Sequence, residues 1–152
     1  MVPRSGAIAT FAASSLWAGL LVGVSFVATP VKFLAPSLSL AVALDVGRQT
    51  FWALNWIEIG CAVVLLVIVL AGYRAKVVVS LAVLLAAAVL VQAVWLLPLL
   101  DARTGLIIAG QPSPPSFLHP VYVVLEVLKL VLLAAMMMAS GRILVRHGPA
   151  VG

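Results

Sequence analysis

The chain has 152 residues, 65% of them hydrophobic and 9% charged, with a formal net charge of +5 and a mean hydropathy of +1.30. Soluble domains are usually about 45–50% apolar and about 25% charged. This composition therefore excludes a soluble fold of such size and predicts one compact membrane domain with no separate catalytic domain outside the bilayer. The nine Lys and Arg are scattered, with no basic run to track a phosphate backbone, which argues against nucleic acid as a partner. The single cysteine, Cys61, rules out an intrachain disulfide and any Cys-Cys metal motif, and its apolar surroundings predict a small buried hydrophobe.

A spanning helix needs about 20 mostly apolar residues at about 1.5 Å each. Four segments qualify, giving an all-α integral membrane four-helix bundle. The first covers residues 8–29, where Thr29-Pro30 is expected to end or kink it. Gly19 and Gly23 in this segment form a GxxxG match, a candidate helix contact and a contact face for a homo-oligomer. Residues 31–49 include Pro36 and the run Ser37-Leu38-Ser39-Leu40, read as a short interfacial helix. The second span covers 50–72 and the third 76–100, joined only by Tyr73, Arg74, Ala75 and Lys76, which predicts a tight antiparallel hairpin. Pro98 lies near the end of the third span. Residues 101–119 hold the turn-rich stretch Gln111-Pro112-Ser113-Pro114-Pro115-Ser116. The fourth span covers 120–144, and Pro120 suits its first turn.

Four spans put both termini and the 73–76 turn on one side. That side carries Arg4, Arg74, Lys76, Arg142 and Arg146, whereas the other carries Lys32, Arg48 and Arg103 with Asp45 and Asp101. Counting bases places both termini in the cytoplasm, and makes the hairpin turn cytoplasmic. The competing reading of the first segment as a signal peptide rests on Arg4 and the small residues Val27-Ala28-Thr29, but its apolar run exceeds the usual length of about 7–15 residues.

Four polar groups interrupt the spans: Glu58, Gln92, Glu126 and Lys129. Counted from the nearer helix ends, all lie about 9–14 Å below the same surface. Ionisable groups at membrane depth are costly and suggest a site. At about 100° per residue, His119, Tyr122, Glu126 and Lys129 fall within an arc of about 80°. Arg48, Asn55 and Glu58 form a second stripe if helicity extends back to Arg48. Ser14, Ser25 and Thr29 form a third, which Lys32 joins only if Pro30 preserves the helical phase. The candidate pocket is therefore Glu58, Gln92, Glu126 and Lys129, with Arg48, Asn55, His119 and Tyr122 at its mouth. Glu126 and Lys129 are spaced to pair on one helix. Glu58 is left to be protonated, to share Lys129, or to reach Arg48 or Lys32, which makes it the first candidate for a proton carrier.

Each group also has a plainer reading. The Glu126–Lys129 pair serves equally to fix packing, Gln92 to clamp two helices, and His119 to cap a helix at the interface. Trp52, Trp95 and Tyr122 fit an aromatic belt. Trp56 is expected in the core or on the cavity wall, and Met136, Met137 and Met138 on packing or lipid-facing surfaces. No phosphate loop, Gly-x-Ser-x-Gly or Cys-x-x-Cys is present. His119 and His147, about 40 Å apart along one helix, do not ligate one haem together. No cofactor, no metal cluster and no enzyme signature is expected.

The strings Leu16-Trp17-Ala18-Gly19, Ala28-Thr29-Pro30-Val31-Lys32-Phe33 and Leu118-His119-Pro120 resemble the transmembrane-protein-205-like group among small bacterial four-span membrane proteins. The resemblance implies a four-helix fold in the bacterial inner membrane and carries over no catalytic residue. Three functions are compatible with the residues. One is transport or binding of a proton, cation or small solute in an outward-facing pocket, by a homo-oligomer. Another is an accessory subunit of a larger membrane complex. The third is a quinone-binding redox anchor using His119, Tyr122 and Glu126.

Overall fold

The computed structural model describes residues 4–146, so His147 lies outside the described residues. Four long helices form the bundle: Arg4–Leu34, Leu40–Gly72, Lys76–Ile108 and Leu118–Arg146. All four are long and apolar enough to cross a membrane, and no strand occurs among the described residues. The chain is a multi-pass membrane protein by this measure. Each helix packs on its sequence neighbour, and the fourth closes back against the first.

The helices outrun the expected spans, and prolines explain much of the difference. The first helix does not end at Thr29-Pro30 but continues to Leu34. A proline inside an α-helix removes one N–H and presses its ring on the carbonyl four residues back. Here the backbone widens into a π turn over Val22–Ala28, and again over Gln92–Leu96 ahead of Pro98. Such widening accommodates the ring without breaking the helix. Thr29 Oγ1 donates to the Val24 carbonyl at 2.8 Å, which also accepts from the Thr29 backbone N–H. The helix then tightens over Lys32–Leu34 and stops at Ala35, held extended before Pro36.

The second helix starts at Leu40, ten residues earlier than expected. Ser37 to Ser39 is its run-in rather than a separate interfacial helix, and Ser39 Oγ accepts from the Val42 N–H at 3.4 Å. The third runs past Pro98 to Ile108 and ends at Gly110, whose φ of 69° suits glycine. There Gln111 N donates to the Leu106 carbonyl at 2.9 Å and Gly110 N to Ile107 at 3.1 Å, a Schellman ending. Helices two and three have 33 residues each, about 50 Å, against about 30 Å of hydrocarbon. The parts of these helices beyond the spans expected from hydropathy carry Arg48, Asp101 and Arg103, at the end opposite the 73–75 hairpin.

Two hydrophobic clusters hold the bundle. The larger, toward the hairpin end, packs Ala7, Leu65, Val69, Leu85, Leu133 and Met136, all at or near zero exposure. A smaller cluster toward the loop end groups Leu96, Leu97 and Tyr122 with Phe51 and Trp52. At the hairpin end a Cβ on Gly6 would stand 2.6 Å from the Gly72 carbonyl oxygen, so glycine sets how closely helices one and two approach. Gly19 and Gly23, by contrast, have no atom within 4 Å of such a position and are exposed, so they make no helix contact within the chain. The spacing matched the motif, but that face of the first helix points away from its neighbours. Trp56, expected in the core or cavity wall, is 66% exposed and faces outward, because the buried face of its helix is set by Asn55 and Glu58 beside it. Tyr122, read as a belt residue, is buried.

Candidate functional site

A polar layer lies between the two clusters, with every helix contributing. Lys129 Nζ from the fourth helix lies 2.6 Å from both Glu58 Oε1 and Oε2 on the second, and 2.8 Å from Glu126 Oε1 one turn earlier on its own helix. Glu58 Oε1 also accepts from Trp17 Nε1 on the first helix at 3.0 Å. Glu126 accepts from Gln92 Nε2 on the third helix at 2.8 Å and from Ser25 Oγ on the first at 3.0 Å. Glu58, Gln92, Glu126 and Lys129 are all at most 1% exposed. Charges held this far from water require partners and hydrogen bonds, and here both carboxylates have them.

The two π turns position this layer. Ser25 sits inside the first and Gln92 opens the second, so each side chain leaves its helix where the backbone is widened. Gln92 spends its amide N–H on Glu126, while its Oε1 is buried and accepts no hydrogen bond from a described residue.

The geometry divides the two acids differently from the charge count. Lys129 chelates Glu58 through both oxygens, and Arg48 does not reach it: Arg48 pairs with Asp45 at 2.9 Å and with Asp101 at 3.5 Å. Glu58 lines neither cavity described here. Glu126 forms part of the wall of a cavity of about 470 Å³, with Ser25, Phe26, Phe51, His119 and Tyr122. The Phe51 and Tyr122 rings stack at 4.6 Å with a 39° tilt beside it. A further cavity of about 180 Å³ lies toward the loop end, lined by Lys32, Arg48, Trp52, Asp101, Arg103 and His119 among others.

Of the residues expected at the mouth, His119 borders both cavities, Arg48 the smaller and Tyr122 the larger. Asn55 is buried on the Glu58 face and borders neither. The helix continues through Pro30, and Thr29 lines the smaller cavity with Lys32 and the larger with Ser25. Trp17 and Ser25 bond the two acids although neither belongs to the expected pocket, and Lys32, expected there only if Pro30 preserves the helical phase, lines the smaller cavity. The signal for Trp17 is its indole N–H, which in a buried stretch requires an acceptor. Among the described residues no group of three or more His, Cys, Asp or Glu could hold a metal ion.

Residues 12–104 match a family described as a domain of unknown function, DUF4149. The chain belongs to this family. The matched region holds Trp17, Ser25, Glu58 and Gln92 and stops before the fourth helix, so Glu126 and Lys129 complete the layer from outside it. No curated protein and no solved structure gives a significant match to the chain.

Proposed function

We propose that the protein binds a proton at Glu126 and exchanges it with the loop-end face of the membrane, as a small transporter or proton-coupled binding protein. The observation that carries this reading is the sharing of one ammonium by two buried carboxylates, of which Glu126 lines the larger of the two cavities and Glu58 lines neither. With Lys129 protonated and both acids ionised, the layer keeps one uncompensated negative charge at membrane depth. That charge is costly in a low dielectric, and a proton on the cavity-facing acid removes it. Glu58, clasped by Lys129 and Trp17, is the fixed counter-ion. The positive-inside rule supports a cytoplasmic hairpin and an outward-opening cavity. We assign the protein to a bacterial inner membrane, with kinship to the transmembrane-protein-205-like group, on the sequence strings named above. The exposed Gly19/Gly23 face is the proposed contact between copies.

A second reading is favoured by one feature: the layer ties all four helices together, as a packing and assembly device of a larger complex would. Proteoliposomes carrying the purified protein and an interior pH dye separate the two. The transport reading expects proton flux that Glu126→Gln abolishes and Glu58→Gln reduces less. Flux at the level of empty liposomes, with Glu126→Gln instead changing co-purification with a larger partner, would favour assembly.

A further inference from the structure

The proton site leaves the basic end of the cleft without a role. Lys32, Arg48 and Arg103 line the smaller cavity with one acid, Asp101. Arg48 is already committed to Asp45 and Asp101. Among the described residues, Lys32 and Arg103 form no ion pair with a carboxylate. Lys32 instead stands over two rings, its Nζ 5.1 Å from the Phe33 centroid and 5.9 Å from that of Phe51. The ammonium occupies the space that a side chain at Gly47 would fill. A partly buried cation without a counter-ion is costly, and an anion placed beside it offsets that cost.

The two cavities are neighbours that share part of their lining. Thr29, Phe33, Leu44, Phe51 and His119 border both. The larger one, about 470 Å³, falls within the usual range of small-molecule sites, about 300–1,000 Å³. Its wall is mostly apolar, and Phe26, Phe33 and Val123 on it are also exposed on the outside of the bundle. Lys32 and Ser25 are seven residues apart on one helix, so the cleft runs about 10 Å from its basic end to the polar layer. Its basic end is built on the loop-end extensions of the helices and its apolar part on the spans themselves, the order in which an amphiphile in a leaflet carries head and chain.

We infer that this cleft binds an anionic amphiphile, whose phosphate or carboxylate head sits between Lys32 and Arg103 and whose single apolar chain fills the aromatic cavity toward Ser25. A cationic amphiphile is disfavoured because it would have to pass Lys32, Arg48 and Arg103. A free inorganic anion would leave the apolar cavity unused. The head-group end is separate from the proton site, since Lys32 and Arg103 take no part in the Glu58–Lys129–Glu126 contacts, while the chain end reaches the wall that Ser25 and Glu126 form.

The test uses the full chain in neutral detergent and lysophosphatidic acid as probe, with three comparators: a monoacylglycerol of the same chain, an alkyltrimethylammonium, and inorganic phosphate. Binding is read by titration calorimetry. Lysophosphatidic acid should bind about tenfold tighter than monoacylglycerol, the scale of one charge-assisted contact. Lys32→Gln and Arg103→Gln should each remove about that preference while leaving monoacylglycerol binding unchanged. Phe51→Ala should weaken both acyl ligands, and Arg4→Gln, at the opposite end, neither. The Lys32→Gln/Arg103→Gln double variant should keep the proton flux that Glu126→Gln abolishes, so loss of this site and loss of the proton site are read apart. Native mass spectra of protein taken directly from membranes distinguish the source. A co-purifying anionic phospholipid, lost in the Lys32→Gln/Arg103→Gln double variant, supports a lipid headgroup; binding of added lysophosphatidic acid without such an adduct supports a free amphiphile. Equal affinity for monoacylglycerol, indifference to both Gln variants, tighter binding of the ammonium, or phosphate binding as tightly as lysophosphatidic acid would each overturn the inference.

Discussion

Replacing Lys129 by Met removes the one cation that both buried carboxylates share while keeping an unbranched side chain of similar reach. Lys129 Nζ stands 2.6 Å from Glu58 and 2.8 Å from Glu126, with all three side chains essentially without solvent exposure. At an effective dielectric near 20, each contact corresponds to about 6 kcal/mol of attraction before desolvation is subtracted. Desolvation consumes much of this, yet removing one partner of a buried pair still costs about 3–5 kcal/mol, because the other charge stays buried and unpaired. Lys129→Met is therefore expected to lose about 3–5 kcal/mol. Adding Glu58→Gln should recover part of that loss, since the remaining carboxylate, Glu126, keeps its bonds from Gln92 and Ser25. The assay is unfolding by a denaturing detergent titrated into mixed micelles, followed by tryptophan fluorescence. A Lys129→Met protein within about 1 kcal/mol of the parent, or a double variant no more stable than the single one, would refute the shared-cation argument.

Two further expectations concern packing around this layer. Trp17→Phe keeps the ring but deletes the 3.0 Å bond to Glu58; the same unfolding assay should show a loss of about 1.5–3 kcal/mol, typical of a hydrogen bond to a charged group. Gly6→Ala pushes a Cβ against the Gly72 carbonyl and should cost about 1–3 kcal/mol, whereas Gly19→Ala and Gly23→Ala, with open space around them, should stay within about 0.5 kcal/mol. Cross-linking of Gly19→Leu protein in membranes tests whether that exposed face joins copies: unchanged dimer yield would remove it as the proposed contact.

Much of the architecture was legible because hydropathy and loop length act locally. Twenty apolar residues must cross a membrane, and four residues between two spans leave only a hairpin. That Glu58, Gln92, Glu126 and Lys129 share one level was legible too, since a common level needs only a count of residues at a fixed rise, although the second and third helices extend beyond the ends from which it was counted. The angular details were not. A phase count assumes 3.6 residues per turn, and the π turns at Val22–Ala28 and Gln92–Leu96 change that count where Ser25 and Gln92 leave their helices. Pro30 read as a stop because its cost to an α-helix is local, while the widened turn that absorbs it shows only in three dimensions. Which acid takes Lys129 most fully was equally hidden: pairing at i,i+3 is visible in sequence, but the Glu58 contact joins residues 71 apart. The close approach at Gly6 and Gly72 likewise depends on how two helices cross, and no spacing rule links those positions.

On the proposed function, the Glu58–Lys129–Glu126 layer holds one exchangeable proton, on Glu126. Infrared difference spectra of the purified protein, recorded across a pH titration, read carboxylic-acid protonation directly. The account requires one titrating carboxylic-acid band that disappears in Glu126→Gln and persists in Glu58→Gln. No such band in the parent protein, or a band lost in Glu58→Gln and kept in Glu126→Gln, would contradict it.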